Sequence, residues 1–306
     1  MLTALWSAPQ DLWPRWQAAI EHELSGIARV VHEAPDPTAI DALIHAPNPD
    51  FTDFAPYQQA GLVQSLWAGV EHIISNRSLT QPLARMVDPS LREAMVEYCL
   101  GWAMRQHLGM DRHKQDGIWR PDATPPLARD RRVTVLGTGA LGGAVAQCLA
   151  KLGFDVTGWS PSGRAVEGVH VLAGADGLDT ALRRAEILIT LLPDTPQTHD
   201  LLDSRSLALL PPGAAIINPG RGTVIDDAAL IAALDSGHLD HAVLDVFRTE
   251  PLPPEHIFWA HPKVTVTPHV AAETRPHSAA KTVAENLRRL RDGRPLLYLV
   301  DRQRGY

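Results

Sequence analysis

The sequence predicts an α/β protein: a doubly wound parallel sheet in the later part of the chain and a smaller parallel α/β unit before it. From Val133 onward, short β-branched runs alternate with helix-forming runs for about a dozen elements, the pattern of parallel strands joined by crossover helices. A Gly-x-Gly-x-x-Gly run, Gly137 to Gly142, directly follows the first of these strands and opens a helix. At 306 residues the chain has room for two domains, each with its own core.

The elements read in order as follows. Leu2 to Ser7 is a short strand, Asp11 to Leu24 an amphipathic helix, and Ala28 to Val31 a second strand. Asp41 to His45 and Gly61 to Trp67 supply two more, with Pro- and Asn-rich loops between them such as Ala46 to Phe51. Pro89 to Gln106 carries apolar residues at helical spacing, capped by Asp88 or Ser90. Asp111 to Pro126 is polar and reads as a linker or arm, with Trp119 set in it. After the strand at Val133, further strands are expected at 155–159, 169–172, 187–192, 214–218, 242–247 and 264–267. A helix from Asp226 to Leu234 begins with acids and stops at Gly237; the last one, about Ser278 to Arg291, ends at Gly293. The apolar tail Leu296 to Val300 must dock on something.

Composition narrows the function classes. Hydrophobic residues make up 45% and charged residues 21%, ordinary for a globular protein. A net charge of −7 counts against a nucleic-acid-binding surface over the whole protein. No run approaches the length of about 18 apolar residues needed to cross a bilayer, so no membrane partner is expected. The start lacks the basic and apolar regions of a signal peptide, and cytoplasm is the expected location. Cys99 and Cys148 lie in helical apolar patterns, which predicts buried free thiols in a reducing compartment. No metal site is expected.

The glycine run is where chemistry enters. Gly137 permits a tight turn, Gly139 lets the backbone approach a pyrophosphate, and Gly142 lets helix and strand pack closely. The N–H groups at the start of the helix, through Ala140 and Leu141, would face the phosphates. This is a Rossmann-type dinucleotide fingerprint. At the end of the next strand, a carboxylate normally holds the ribose 2′-OH of NAD(H). Here the strand ends Trp159-Ser160-Pro161-Ser162-Gly163-Arg164, with no acid at that position. Ser160, Ser162 and Arg164 suit a 2′-phosphate, so NADP(H) is favoured, with NAD(H) as the alternative.

Three more stretches stand at expected strand ends: Asn218 to Gly222, Leu244 to Pro253 and Thr267 to Ala272. Parallel strands share one carboxyl edge, so Arg221, Glu250 and His269 can converge there. The set suits reduction of a 2-oxo acid. Arg221 would bind the substrate carboxylate and polarise the keto oxygen; His269 would donate a proton; Glu250 would favour the charged ring and fix its tautomer.

Taken together, Gly-Thr-Gly-Ala-Leu-Gly, Asn-Pro-Gly-Arg-Gly, Leu-Asp-Val-Phe with Glu-Pro-Leu-Pro, and Thr-Pro-His-Val-Ala-Ala resemble the D-isomer-specific 2-hydroxyacid dehydrogenases. Within that family the chain is most similar to the glyoxylate/hydroxypyruvate reductase A type, and the Trp159-Ser160 strand end and the closing residues 300–306 add to the likeness. The resemblance is good from about residue 60 onward and only an outline over the first 45. It implies Arg221, Glu250 and His269 as the catalytic set, and Asp245 near the nicotinamide carboxamide. Leu192, Pro193 and Thr198 complete the expected cofactor set. The loop Trp67-Ala68-Gly69-Val70 would bind the substrate carboxylate, with Glu71 where Asp is usual. Fewer basic residues follow Trp-Ser than is typical of the subgroup, which weakens the NADP(H) preference. The resemblance also implies a flavodoxin-like substrate-binding domain of residues 1–97 and 278–306, a dinucleotide-binding domain of residues 98–277, and a homodimer. Trp119 then either reaches the partner's cleft or is simply exposed.

The leading expectation is NADPH-dependent reduction of a small 2-oxo acid, glyoxylate to glycolate or hydroxypyruvate to D-glycerate. Two alternatives stay open: a dehydrogenase for a bulkier 2-oxo acid, and a non-enzymatic NAD(P)-sensing protein of corepressor type, which shares the fold and motifs. For substrate preference, His45, Trp67, Arg85 and Met86 are candidates by loop position.

Overall fold

The computed structural model describes residues 1–112, 118–119 and 124–302. The chain begins with β1 (Leu2–Trp6), α1 (Trp13–Leu24), β2 (Ala28–Val31), β3 (Ala42–His45), β4 (Leu62–Ser65), α2 (Glu71–Ile74) and β5 (Leu83–Ala84). A long α3 (Pro89–Leu108) leads to β6 (Arg132–Leu136), α4 (Ala140–Lys151), β7 (Asp155–Ser160), β8 (His170–Ala173), α5 (Gly174–Arg184) and β9 (Ile187–Thr190). Then come α6 (Ser204–Leu207), β10 (Ala214–Asn218), α7 (Asp227–Asp235), β11 (Leu239–Leu244), β12 (Val264–Val266) and α8 (Pro276–Arg291).

Two compact units result: Met1–Leu91 with Glu273–Tyr306, and Arg92–Ala272. The boundaries expected from sequence, 97/98 and 277/278, fall inside α3 and α8. Helical periodicity runs unbroken through both points, so hydrophobic pattern alone does not mark where contacts change hands.

In the first unit the five strands are parallel in the order β2-β1-β3-β4-β5, the flavodoxin-like order. All four residues of β3 and of β4 are buried, as expected of parallel strands covered on both faces. Successive residues serve opposite faces. Ile44 and Leu62 pack with Trp16, Ile20 and Leu24 of α1 and Val283 and Leu287 of α8. Leu43 and Val63 pack with Phe54, Ile73 and Leu79. Asp88 is buried and accepts from Ser90 N at 3.1 Å and from Arg275 N at 3.3 Å, so one carboxylate caps the starts of α3 and α8. Strand β5, too short to signal itself in sequence, is the edge on which the tail docks. Val300 N donates to Leu83 O at 2.9 Å and Arg85 N to Tyr298 O at 3.0 Å. Of the closing motif, residues 303–306 lie outside the described residues.

In the second unit seven parallel strands run β12-β11-β10-β9-β6-β7-β8, a Rossmann-type order with β6, the unit's first strand in sequence, at the switch point. One face packs Leu182, Ile216 and Leu234; the other packs Cys99 and Ala103 of α3 with Val145, Leu149, Ile217 and Val243. Cys99 is buried and Cys148 half-buried, and both are free thiols. The expected strand 242–247 is displaced: β11 starts at Leu239 and stops at Leu244. Most of the expected linker lies outside the described residues, but Trp119 is 90% exposed. Among the described residues no helix is long and apolar enough to cross a membrane, and none group into a set of metal ligands.

Candidate active site

The glycine loop joins β6 to α4. Gly137 has φ 97°, and a Cβ there would stand 2.5 Å from Leu191 O. A Cβ on Gly142 would stand 1.8 Å from Gly137 O, so the first turn of α4 closes on the loop only without a side chain. Gly139 caps α4, and a Cβ there would meet nothing within 4 Å. The three glycines thus divide the work: two fold the loop and the middle one leaves its outer side open. Ala140 and Leu141 begin α4 with N–H groups at the positive end of the helix dipole. A dinucleotide pyrophosphate fits this cradle.

At the end of β7, Ser160 is 8% exposed, and its Oγ accepts from Thr138 Oγ1 at 2.8 Å and from Arg164 N at 3.3 Å. With two donors already pointing at the oxygen, its own proton is left to donate outward, as a phosphate acceptor requires. Ser162 and Arg164 are exposed on the following turn. Beyond β9, Leu192 is buried against the glycine loop. Thr198 Oγ1 donates to Pro193 O at 2.6 Å and accepts from Thr195 N at 2.9 Å, which closes the 193–198 turn on itself.

Arg221 follows β10. Its NH1 donates to Gly220 O at 2.7 Å, while Asn218 Nδ2 holds the Arg221 carbonyl at 3.0 Å. His269 and Glu250 meet directly, Nδ1 to Oε2 at 2.7 Å, and Glu250 Oε1 accepts from Phe247 N at 2.9 Å. Both side chains keep a face to solvent, 50% for His269 and 35% for Glu250. The hydrogen bond with Glu250 raises the His269 pKa above the ordinary histidine value; the charges of Glu250 and Asp245 add to it, against burial and the Arg221 charge. Burial pushes the Glu250 carboxyl up, but hydrogen bonds from His269 and Phe247 N and the charges of His269 and Arg221 hold it below its usual range. Arg221 therefore lies within electrostatic reach of both partners. A carboxylate on Nδ1 fixes the proton there and leaves Nε2 as the nitrogen that faces outward.

Asp245 is fully buried and both oxygens are engaged: Oδ1 accepts from Thr267 Oγ1 at 2.6 Å and Val270 N at 3.0 Å, Oδ2 from Ala271 N at 2.9 Å. Its N–H still donates to Asn218 O at 3.0 Å, whereas its carbonyl accepts from His269 N at 2.8 Å. The chain here is tied to the histidine turn rather than to the next strand, and β11 ends before it.

The loop Trp67–Val70 belongs to the other unit and follows β4. Ser65 Oγ accepts from Trp67 N at 3.0 Å and donates to Trp67 O at 2.9 Å, which turns the chain out of the sheet. Trp67 is 42% exposed, Ala68 and Gly69 are half-buried, and Val70 is buried. Of the residues expected to set substrate preference, Met86 is core, packed with Leu62 and Leu66. Burial lowers the His45 pKa to about 4 despite its hydrogen bond to Ser7, so this histidine is neutral near pH 7.

Four residues with a part in this geometry escape the sequence reading: Thr138, Gly222, Thr267 and Tyr98. Thr138 and Thr267 lie inside quoted motifs, and Gly222 closes one. Only its neighbours reveal Gly222, since a Cβ there would stand 2.1 Å from Phe247 C. Tyr98 carried no signal beyond its place in a helix.

The profile of the D-isomer specific 2-hydroxyacid dehydrogenase NAD-binding domain matches residues 99–271, more than half of the chain. The glyoxylate/hydroxypyruvate reductase A of Serratia proteamaculans is 39% identical over 254 residues, covering 80% of this chain and 81% of that protein. Among solved structures, a D-isomer specific 2-hydroxyacid dehydrogenase from Xanthobacter autotrophicus, in complex with NADPH and MES, superposes with a TM-score of 0.90 at 38% identity, covering 100% of this chain and 99% of that one. The NADPH-dependent glyoxylate/hydroxypyruvate reductase of Sinorhizobium meliloti, in complex with NADP and sulfate, gives 0.87 at 34% identity, with 100% of both chains covered. The chain belongs to the D-isomer specific 2-hydroxyacid dehydrogenase family, as its motifs led us to expect.

Proposed function

We propose that this chain is an NADPH-dependent reductase of small 2-oxo acids, converting glyoxylate to glycolate and hydroxypyruvate to D-glycerate. The observation that carries the reading is the 2.7 Å pairing of His269 Nδ1 with Glu250, with Arg221 in electrostatic reach. When bound, the cofactor supplies the hydride. Arg221 binds the substrate carboxylate and polarises the keto oxygen, and charge develops on that oxygen as the carbonyl is reduced. His269, charged through its partnership with Glu250, donates the Nε2 proton to it. Glu250 holds the ring's tautomer and orientation and remains ionised. Gly137, Gly139 and Gly142 receive the pyrophosphate; Ser160, Ser162 and Arg164 read the 2′-phosphate; Leu192, Pro193, Thr198 and Asp245 line or support the same site. The backbone of Trp67–Val70 takes part in binding the substrate carboxylate. NADP use is supported by the NADPH- and NADP-bound relatives, and the substrate pair by the names of the similar reductases.

The first unit is then the substrate-binding domain and the second the dinucleotide-binding domain, in a cytoplasmic homodimer; sedimentation at one protomer mass would refute the dimer. The deciding experiment is a panel of 2-oxo acids assayed with NADPH and with NADH. Turnover is expected to be best with glyoxylate or hydroxypyruvate and NADPH. Absence of turnover on every acid overturns the proposal.

A further inference from the structure

His269 sits at φ 53°, in the left-handed region that a residue with a side chain adopts only where its surroundings hold it. The ring meets Glu250 from that conformation, so whatever holds the turn also sets the catalytic pair. Asp245 supplies three of the hydrogen bonds that hold it. Its carbonyl takes the His269 N–H at 2.8 Å, and its carboxylate takes the N–H groups of Val270 at 3.0 Å and Ala271 at 2.9 Å. Asp245 thus accepts from each N–H of residues 269 to 271, the His269 N–H being shared with Thr267 O at 3.0 Å.

A carboxylate bound only by backbone amides can still rotate. This one is also fixed by Thr267, whose Oγ1 lies 2.6 Å from Asp245 Oδ1. Asp245 as a carboxylate can only accept, so Thr267 must be the donor. A hydroxyl has one proton, and the 2.7 Å contact between Thr267 Oγ1 and Tyr98 Oη therefore has Tyr98 donating. Burial raises the Tyr98 pKa well above the ordinary tyrosine value, which keeps that proton in place. The result is a one-way chain: Tyr98 on α3 donates to Thr267, Thr267 donates to Asp245, and Asp245 gathers the amides of the His269 turn.

We infer that Tyr98 and Thr267 are positioning residues for proton transfer: through Asp245 they hold the turn from which His269 meets Glu250. The inference rests on His269 being the proton donor. Helix α3 also packs its Met95, Cys99 and Ala103 into the core beneath the same sheet, so the chain starts from a rigid element rather than from a loop.

The test uses the purified full chain with glyoxylate and NADPH, and compares Tyr98→Phe, Thr267→Val, Thr267→Ser and His269→Ala. Tyr98→Phe and Thr267→Val each lower kcat about three- to tenfold, the worth of one hydrogen bond. Both also move the alkaline limb of the kcat/KM profile to lower pH, because a looser turn weakens the hold of Glu250 and Asp245 on the charged ring. KM for NADPH and the thermal midpoint of Tyr98→Phe stay near the parent, and Thr267→Ser restores both rate and profile. If Tyr98→Phe keeps the parent kcat and pH limb, the inference is overturned, whatever the fate of Thr267→Val. A loss confined to KM for NADPH overturns it too, since the chain would then serve the cofactor. Turnover surviving in His269→Ala sinks the proton-donor reading and this inference together; turnover lost there but unchanged in Tyr98→Phe sinks this inference alone.

Discussion

His269 Nδ1 stands 2.7 Å from Glu250 Oε2, and Glu250 uses its other oxygen to take the N–H of Phe247 at 2.9 Å. The carboxylate is therefore fixed by the backbone on one side and fixes the imidazole on the other. A histidine held this way keeps its proton to higher pH than a free one, and it keeps the outward nitrogen aimed.

That pairing gives a pH prediction with a definite sign. On the proposed mechanism reduction draws its proton from His269, whose folded pKa is raised, first by the Glu250 hydrogen bond. While Glu250 is ionised, activity should hold to higher pH than a free histidine, with its pKa of about 6.5, would allow, and should decline as pH rises through the higher folded value. In Glu250→Gln the alkaline limb of kcat/KM moves towards acid. A limb that stays in place would show that Glu250 does not control the ring.

Removing the ring itself is the stronger test of its role. His269→Ala should lower kcat by about 10²–10⁴-fold, the usual worth of a placed general acid. NADPH binding, followed by quenching of protein fluorescence, should be nearly unchanged, because the glycine loop makes its contacts elsewhere. Turnover near the parent value at neutral pH would remove His269 from the mechanism.

Much of this was legible in the sequence because local signals and chemistry agreed. The glycine run had to be a turn between strand and helix, and Arg221, Glu250 and His269 were each placed by a strand end on one edge of a parallel sheet. What stayed hidden depended on distant atoms. Asp245 reads as the continuation of a buried strand, and only the amides of Val270 and Ala271 show that it serves the histidine turn. Strand β5 has two residues and exists because β4 and the tail pair with it. Met86 follows a loop in sequence yet is sealed in the core by α1 and α8, so loop position alone made it a false candidate for the substrate pocket.

The end of β7 offers a cofactor prediction. Ser160 Oγ already accepts from Thr138 and from Arg164 N, so an aspartate there inherits both donors and stays charged. Ser160→Asp should repel the 2′-phosphate and receive the 2′-hydroxyl, shifting the NADPH/NADH ratio of kcat/KM about 10- to 100-fold towards NADH, the range of one charge-assisted hydrogen bond. An unchanged ratio would mean that this strand end does not read the ribose.

Gly222 links Arg221 to Glu250 by sheer closeness. A Cβ at this position would stand 2.1 Å from Phe247 C and 2.4 Å from both its Cα and its O, and backbone atoms cannot swing aside as a flexible side chain would. Phe247 N is the donor that anchors Glu250, so one methyl group pushes the Arg221 turn and the Glu250 turn apart. Overpacking of this kind costs about 1–3 kcal/mol. Gly222→Ala should therefore lower the thermal midpoint and reduce kcat/KM by more than the instability alone explains, with the alkaline limb moved towards acid as in Glu250→Gln. Gly101→Ala is the matched control: it lies within α3, its Cβ would meet nothing within 4 Å, and a helix interior gains about 0.5–1 kcal/mol from the change. Equal behaviour of the two variants would show that the contact between Gly222 and Phe247 does not set the geometry of the site.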